Sequence, residues 1–136
     1  MVKNTVITLK AQKRGFHLIT SEILEALGKL PAEGVLHLFM RHSSAGLLIN
    51  ENADPDVRHD MEKFFDQVAP ENAPYFKHIM EGADDMPAHI KTALTGISLT
   101  IPIINGKLAL GTWQGIYLCE YRNYGGSRNI VVSVIG

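Results

Sequence analysis

The chain has 136 residues, of which 46% are hydrophobic and 20% charged. This is the composition of one globular domain, and it excludes disordered, collagenous and fibrous proteins. Thirteen basic against 14 acidic residues give a net charge of −1, so the basic excess that non-specific nucleic-acid or anionic-membrane binding needs is missing. We expect no nucleic-acid and no membrane partner.

The first half of the chain alternates short strands with two helices. Strands are predicted at Val2–Leu9, 15–19, 35–40 and 47–50 from their β-forming and apolar residues. A helix is predicted at about 21–30, where Pro31 follows the apolar face.

The clearest helix is predicted at 54–68. Asp54 is a good N-cap, and Pro55 occupies the first helical position, where its missing N–H costs nothing. Five apolar residues then recur at helical spacing and should face the core: Val57, Met61, Phe64, Phe65 and Val68. On this interpretation Phe64→Ala should cost about 3–5 kcal/mol.

The second half begins with a short helix from Pro87 to about residue 94, and the rest is predicted as strands at 97–104, 107–110, 116–121 and 129–135. Asn105-Gly106 is a strong two-residue hairpin signal, and Pro102 places its strand at an edge or a bulge. The fold class is α+β in a single domain, residues 1–136. Its architecture should be a β-sandwich of mixed or antiparallel sheets, with two to three helices on one side.

The single cysteine, Cys119, excludes an intramolecular disulfide and is typical of a reducing compartment. The N-terminus has no signal-like pattern, and no apolar run approaches the roughly 20 residues of a membrane span. We therefore expect a cytoplasmic protein.

Three of the six histidines lie in polar, turn-rich segments: His42, His78 and His89. Three imidazoles with an open fourth position form a catalytic zinc-type site. Their spacing matches no short metal motif, so ordinary surface positions remain an alternative. The other three histidines are interpreted as core or surface residues.

Acidic and glycine-rich segments supply the other candidates. Glu51, just before a helix N-terminus, is a candidate general base or ligand anchor, although it could equally cap the helix. Asp84 and Asp85 either form a solvated turn or orient a histidine. Two loops could bind a ligand. In the loop 111–115, Trp113 could stack on a flat ring, or it could anchor the core. In the loop 125–128, the backbone amides, Ser127 and Arg128 suit an anion, or the segment could form only a hairpin.

These motifs together resemble the YjbQ-like family, catalogued as secondary thiamine-phosphate synthases. The matching segments are His42-Ser43-Ser44-Ala45-Gly46-Leu47, Asn50 to Arg58, Glu81 to Lys91, Gly111-Thr112-Trp113-Gln114-Gly115-Ile116 and Gly125-Gly126-Ser127-Arg128. The resemblance extends from Arg14 to Gly136.

The resemblance implies a homotrimer with sites near subunit boundaries. It implies a divalent metal at His42, His78 and His89, with Glu51 and Arg128 nearby. The implied reaction joins hydroxymethylpyrimidine diphosphate to thiazole phosphate and releases pyrophosphate, as a weak activity.

Residue roles follow from that chemistry. The catalytic residues would be Glu51, His42 and Arg128, and the substrate would contact Thr112, Trp113, Gln114, Gly125, Gly126 and Ser127. Arg128 would stabilise charge on the leaving group, so Arg128→Ala should reduce activity more than stability.

Three histidines suit zinc better than magnesium, which prefers oxygen ligands and would arrive with the diphosphate. A metal-dependent hydrolase or lyase acting on a small anionic substrate therefore remains an alternative. A metal- or ligand-binding trimer without turnover is the other.

Overall fold

The computed structural model describes all 136 residues, in eight strands and three helices. Their bounds are β1 Val2–Leu9, β2 Gly15–Leu18, α1 Thr20–Leu27, β3 Glu33–Met40, β4 Ala45–Glu51, α2 Pro55–Val68, α3 Asp85–Thr95, β5 Ser98–Ile104, β6 Lys107–Leu108, β7 Gln114–Glu120 and β8 Arg128–Ile135. Every predicted element is present. The largest shift is the end of α1, because Gly28 has a positive φ of 68° and closes the helix with its N–H on Leu24.

The strands form two sheets in which all neighbouring pairs are antiparallel. The larger sheet has the order β1-β8-β3-β5-β6, and the smaller has the order β2-β7-β4. The hairpin between β5 and β6 is the predicted one, since both Asn105 and Gly106 have positive φ. The α+β sandwich predicted from the sequence is confirmed.

The layers follow from which side chains are buried. Alternate residues of both sheets meet in one core, exemplified by Leu38 on β3, Leu47 on β4 and Leu118 on β7. The other side of the three-stranded sheet carries a second cluster around Tyr117 and Tyr121, against which α2 and α3 pack. Three of the four sheet faces are therefore covered within the chain.

The fourth face, the outward side of the five-stranded sheet, is here called the outer face. The register places three full cross-strand rows on it: Val2, Ile135, Val35 and Pro102; then Asn4, Ser133, His37 and Thr100; then Val6, Val131, Phe39 and Ser98. Shorter rows lie at either end, with Glu33, Ile104 and Lys107 at one and Thr8 and Asn129 at the other. The twelve residues of the full rows are exposed or half-buried, whereas their neighbours along β8, β3 and β5 lie in the core or pack against it.

The apolar stripe of α2 is only partly a core face. Met61 and Phe65 pack against the second cluster, but Phe64 is 61% exposed and Val68 is 49% exposed. The prediction that Phe64 and Val68 face the core is therefore wrong. Residues at helical spacing form a wide apolar face on α2, and the narrow three-stranded sheet contacts only one side of that face.

The rings of Phe64 and Phe65 differ in exposure, and this difference leads to a stability prediction. Phe64→Ala should lower the free energy of unfolding by less than about 1 kcal/mol, whereas Phe65→Ala should lower it by about 2–3 kcal/mol because its ring packs against Phe16 and Tyr121. Urea denaturation of both variants measures this. Equal midpoints for the two variants would show that α2 is rotated about its axis.

None of the helices has the length and apolar character needed to cross a membrane.

Candidate functional site

Three side chains that can bind a metal converge at the start of α3. Asp85 opens the helix, His89 lies one turn later on the same face, and His78 lies in the irregular segment before it. The Nε2 atoms of His78 and His89 lie 2.6 and 3.0 Å from the same carboxylate oxygen, Oδ2 of Asp85. One ligand atom from each residue falls within 4.8 Å of the others. This cluster is called the His78–Asp85–His89 group below.

The hydrogen bond made by Nδ1 of His89 determines whether Nε2 of the same ring can donate or accept. Its Nδ1 lies 2.8 Å from the carbonyl oxygen of Ser43, a group that only accepts, so Nδ1 must carry the proton. A neutral His89 then directs the lone pair of Nε2 at the carboxylate of Asp85. This contact is favourable only if His89 is doubly protonated or a cation lies between the two atoms. A backbone carbonyl that holds the far nitrogen is the usual support of a metal-binding histidine.

Arg122 is a site residue that the sequence analysis missed. Its guanidinium donates to Asp85 Oδ1 at 2.8 Å and to Asp84 Oδ2 at 3.1 Å, and Nη2 donates to the carbonyl of Glu81. Burial raises the pKa of Asp85, but the hydrogen bond from His78 and the positive charges of His89 and Arg122 outweigh it, so the pKa lies below its ordinary value. Asp85 is thus held ionised, with Oδ2 free to face the histidines.

His42, the third predicted metal ligand, is not part of this group. Its Nε2 accepts a hydrogen bond from the backbone N–H of Asn129 at 2.9 Å. Burial lowers the pKa of His42, and the positive charges of Arg128 and Arg41 lower it further, against an opposing effect of Glu120. His42 is therefore a neutral hydrogen-bond acceptor that joins the β3–β4 turn to β8.

This lowered pKa makes stability depend on pH. Below about pH 6.5 the unfolded state takes up a proton at His42 more readily than the folded state does, so the free energy of unfolding should fall as the pH drops toward the folded pKa. His42→Gln keeps an acceptor but cannot titrate, and should lose less stability between pH 8 and pH 5.5. Urea midpoints in chelator measure both proteins, and equal losses would contradict the assignment.

Arg128 is paired inside the protein. Its Nε and Nη2 donate to the two carboxylate oxygens of Glu120 at 2.8 and 2.6 Å, and both side chains are almost fully buried. Gly125 packs on this pair, since a Cβ there would meet Glu120 Oε1 and Arg128 Nη2. The predicted anion-binding arginine is already neutralised by a carboxylate, and Gly125 serves close packing.

The glycine loop still leaves donors available. The backbone N–H groups of Gly125, Gly126 and Ser127 donate to no group in the chain. The loop borders an open cavity of about 450 Å³, whose other wall is formed by Ala11, Gln12 and Lys13. Unpaired amides beside a lysine suit an oxyanion. The loop joins the His78–Asp85–His89 group through Asn123, whose N–H donates to Asp84.

The remaining predicted residues lie at the other end of the three-stranded sheet. Glu51 pairs with Gln114 where β4 ends and β7 begins, whereas Ala45 pairs with Glu120 at the end near His89. Six residue steps of about 3.4 Å separate the two ends by roughly 20 Å. A small ligand bound by one chain therefore cannot contact both sets.

At that far end the side chains hold the loop together. Glu51 Oε2 accepts the N–H of Asp54 at the start of α2, as the capping alternative requires. Asn52 donates to the carbonyls of Thr112 and Gln114. Trp113 is 65% exposed on this loop and is not a core anchor.

Known proteins match the chain over nearly its whole length. The family model described as "UPF0047 protein YjbQ-like" matches residues 5–136. The chain belongs to the UPF0047 YjbQ-like family. It is 52% identical to UPF0047 protein YjbQ of Escherichia coli O157:H7 over 132 residues, covering 96% of this chain and 95% of the relative, and 44% identical to a UPF0047 protein of Synechocystis, covering 96% and 90%. The family resemblance predicted from the motifs is confirmed.

Solved structures support the fold of this family member. A crystal structure of a conserved hypothetical protein from Thermus thermophilus is 31% identical, with a TM-score of 0.85, and covers 96% of this chain and 99% of that chain. A YbjQ-like protein of unknown function from Sulfolobus solfataricus also has a TM-score of 0.85, at 25% identity, covering 100% and 98%. The two-sheet architecture with its helices is thus that of the family.

Proposed function

We propose that this chain is a metal-dependent enzyme that acts on a small phosphorylated substrate, with the metal held by His78, Asp85 and His89. The observation that carries the proposal is the arrangement around His89, where Nδ1 is committed to Ser43 and Nε2 faces the carboxylate of Asp85. Two imidazoles and one carboxylate form a common ligand set of catalytic zinc. Such an ion, when bound, would stabilise negative charge that develops on a phosphoryl oxygen.

The residues of the chain prepare this site. Arg122 fixes the carboxylate of Asp85, and Ser43 fixes the ring of His89, so two ligand atoms are held before a metal arrives. The side chain of His78 is 47% exposed, which leaves the group open to solvent and substrate. The amides of the glycine loop and Lys13 border the same cavity, and together they could hold a phosphate.

The specific reaction we propose is that of a thiamine-phosphate synthase-type transferase, which joins hydroxymethylpyrimidine diphosphate to thiazole phosphate. Its support is the match of the chain to the family motifs over nearly its whole length. Glu51 and the loop of Thr112, Trp113 and Gln114 would take part only if a second copy contributes them. An assembly of more than one chain is therefore part of this proposal, and we propose the homotrimer that the family resemblance implies. We also propose a cytoplasmic location.

A hydrolase is the second candidate, and the chemistry of the ligand set favours it. Histidine nitrogens are good ligands for zinc. The negative charge of a departing diphosphate is instead commonly neutralised by magnesium, which prefers oxygen ligands. The same metal centre would then catalyse hydrolysis, in which water attacks an anionic substrate.

Metal content is the first test. Tag-free wild type, His78→Ala and Asp85→Asn would be measured by mass spectrometry, with His59→Ala as a matched control because His59 is exposed on α2 and outside the group. We expect near-stoichiometric metal in the wild type and the control, and loss in the other two. Folded wild-type protein that binds no added zinc, manganese or magnesium would refute the proposed centre.

The reaction is tested on the metal-loaded protein. Pyrophosphate release that requires both thiamine precursors supports the transferase. Phosphate release from p-nitrophenyl phosphate alone, abolished by chelation, supports the hydrolase. Bound metal without either turnover would favour a binding protein and contradict both reactions.

A further inference from the structure

We propose that the glycine loop, residues 125–128, and Lys13 form an oxyanion site that is separate from the metal centre and holds the end of the substrate that does not react. The substrate would therefore carry two anionic groups, one at the His78–Asp85–His89 group and one at the loop. The oxyanion site itself does not depend on the metal, whereas its use by a substrate rests on the proposed function.

The loop offers several hydrogen-bond donors in one short stretch of backbone. The N–H groups of Gly125, Gly126 and Ser127 donate to no backbone carbonyl. Gly126 has a left-handed φ of 73° and follows a turn at Asn123 and Tyr124. A left-handed residue in such a turn directs successive N–H groups to one side of the backbone, where they can bind an anion.

The charge around the adjoining cavity favours an anion. Lys13 lines this cavity of about 450 Å³, and no carboxylate does. Lys13 takes part in none of the ion pairs of the chain, so its ammonium group is free to bind a ligand. The carboxylate of Glu120 lies beneath Gly125, but Arg128 neutralises it. An ammonium group facing unpaired amides is therefore available for charge-assisted hydrogen bonds to an oxyanion.

The backbone of Lys13 is held in place before any ligand binds. Its carbonyl lies 2.7 Å from Nε2 of His17, and because a carbonyl can only accept, Nε2 is the donor. The next residue, Arg14, pairs with Glu71 at 2.9 Å. The segment that carries the cation is thus ordered by its own contacts, which reduces the entropy that ligand binding has to overcome.

One stretch of chain connects the oxyanion site with the metal centre. The N–H of Asn123 donates to Asp84, the neighbour of Asp85, and Gly126 follows three residues later, which extended backbone spans in at most about 11 Å. Tyr124 lies between the two in the chain, and its ring is 96% exposed beside the cavity. One small molecule can therefore reach both sites, with its carbon skeleton packed against this ring.

Sulfate is the probe for the oxyanion site itself. The metal-free protein in chelator would be titrated with sodium sulfate in exchange for sodium chloride at constant ionic strength, and the backbone amide signals would be followed by NMR. We expect saturable shifts at Gly126 and Ser127, and Lys13→Gln should weaken sulfate binding at least about threefold. Lys10→Gln is the matched control, because Lys10 is exposed on the same segment and does not line the cavity.

Two variants of Gly126 test the conformation of the loop. A Cβ at this position would meet nothing within 4 Å, so the two variants differ chiefly in the backbone conformation that they allow. Gly126→Asn tolerates a left-handed φ and should keep sulfate binding, whereas Gly126→Val disfavours it and should lose binding. Circular dichroism verifies that each variant is folded. No saturable shift in the wild type, or wild-type affinity in either Lys13→Gln or Gly126→Val, overturns the oxyanion site.

Alkane diphosphonates test whether one ligand uses both sites. The zinc-loaded protein would be titrated by calorimetry with propylphosphonate and with diphosphonates of about three to eight carbons, since linking two binding groups raises affinity when the linker spans both sites. We expect one chain length to bind at least tenfold more tightly than propylphosphonate, and Lys13→Gln to remove this gain.

The two experiments separate this inference from the function on which it rests. If sulfate binds at the loop but no diphosphonate gains affinity, the loop does not hold a second group of the substrate, and that part of the proposal is overturned. If sulfate binds at the loop but the protein binds no metal, the oxyanion site is supported, while the metal centre and the use of both sites by one substrate are refuted.

Discussion

Arg128→Met is expected to destabilise the protein by about 3–5 kcal/mol, because it leaves the carboxylate of Glu120 buried without a counter-charge. Arg128 donates to both oxygens of Glu120, the backbone N–H of Arg122 also donates to Oε2, and Glu120 is fully buried. This prediction differs from the expectation from the sequence, in which Arg128→Ala reduces activity more than stability.

The measurement is the urea denaturation midpoint at pH 7. Arg41→Met is the matched control, since Arg41 is exposed and its substitution should change stability by less than about 0.5 kcal/mol. The double variant Arg128→Met with Glu120→Leu should recover part of the loss, because it removes the unpaired charge as well. An unchanged midpoint in the single variant, with a lost activity, would restore the anion-binding role.

Gly46→Ala is expected to cost at least about 3 kcal/mol, because the added methyl group would meet backbone that cannot move aside. A Cβ at Gly46 on β4 would lie 2.8 Å from the carbonyl oxygen of Gly96 and 2.7 Å from Oγ1 of Thr95, at the C-terminal end of α3. The same carbonyl accepts the N–H of Leu47 at 3.1 Å. The helix that carries His89 is thus anchored directly on the strand that follows Ser43.

Two measurements distinguish the effect of Gly46→Ala on packing from its effect on the metal site. The urea midpoint measures the cost, and zinc titration of the folded fraction should show weaker binding, because α3 must shift relative to the Ser43 carbonyl. Gly111→Ala is the matched control, since a Cβ there would meet only the flexible side chain of Gln114 at 3.4 Å. A Gly46 variant as stable as this control would show that α3 is not held against β4.

Local sequence signals predicted the elements well. Asp54 with Pro55 marks the start of α2, and Asn105-Gly106 marks the β5–β6 hairpin, because both rest on contacts between residues close in the chain. The sequence could not show which part of the α2 stripe meets a sheet. That depends on how far β2 extends beneath the helix, which is a tertiary property.

The site was predictable only in part. The sequence predicts His78 and His89 as ligands because they lie in polar segments, but it offers Asp85 only as part of a solvated turn or as a residue that orients a histidine. Arg122 could not be found in this way, since its role depends on β7 ending beside the start of α3, which no short motif encodes. The hydrogen bond of His42 to β8 likewise joins residues 87 positions apart.

The roughly 20 Å between the two ends of the three-stranded sheet has a consequence for genetics as well as for chemistry. If Trp113 and His89 serve one small ligand, they do so from different chains of an assembly. Two defective variants, one at each residue, would then complement each other when mixed, since some mixed assemblies would contain an intact site. In a chain whose site is self-contained, mixing would restore nothing.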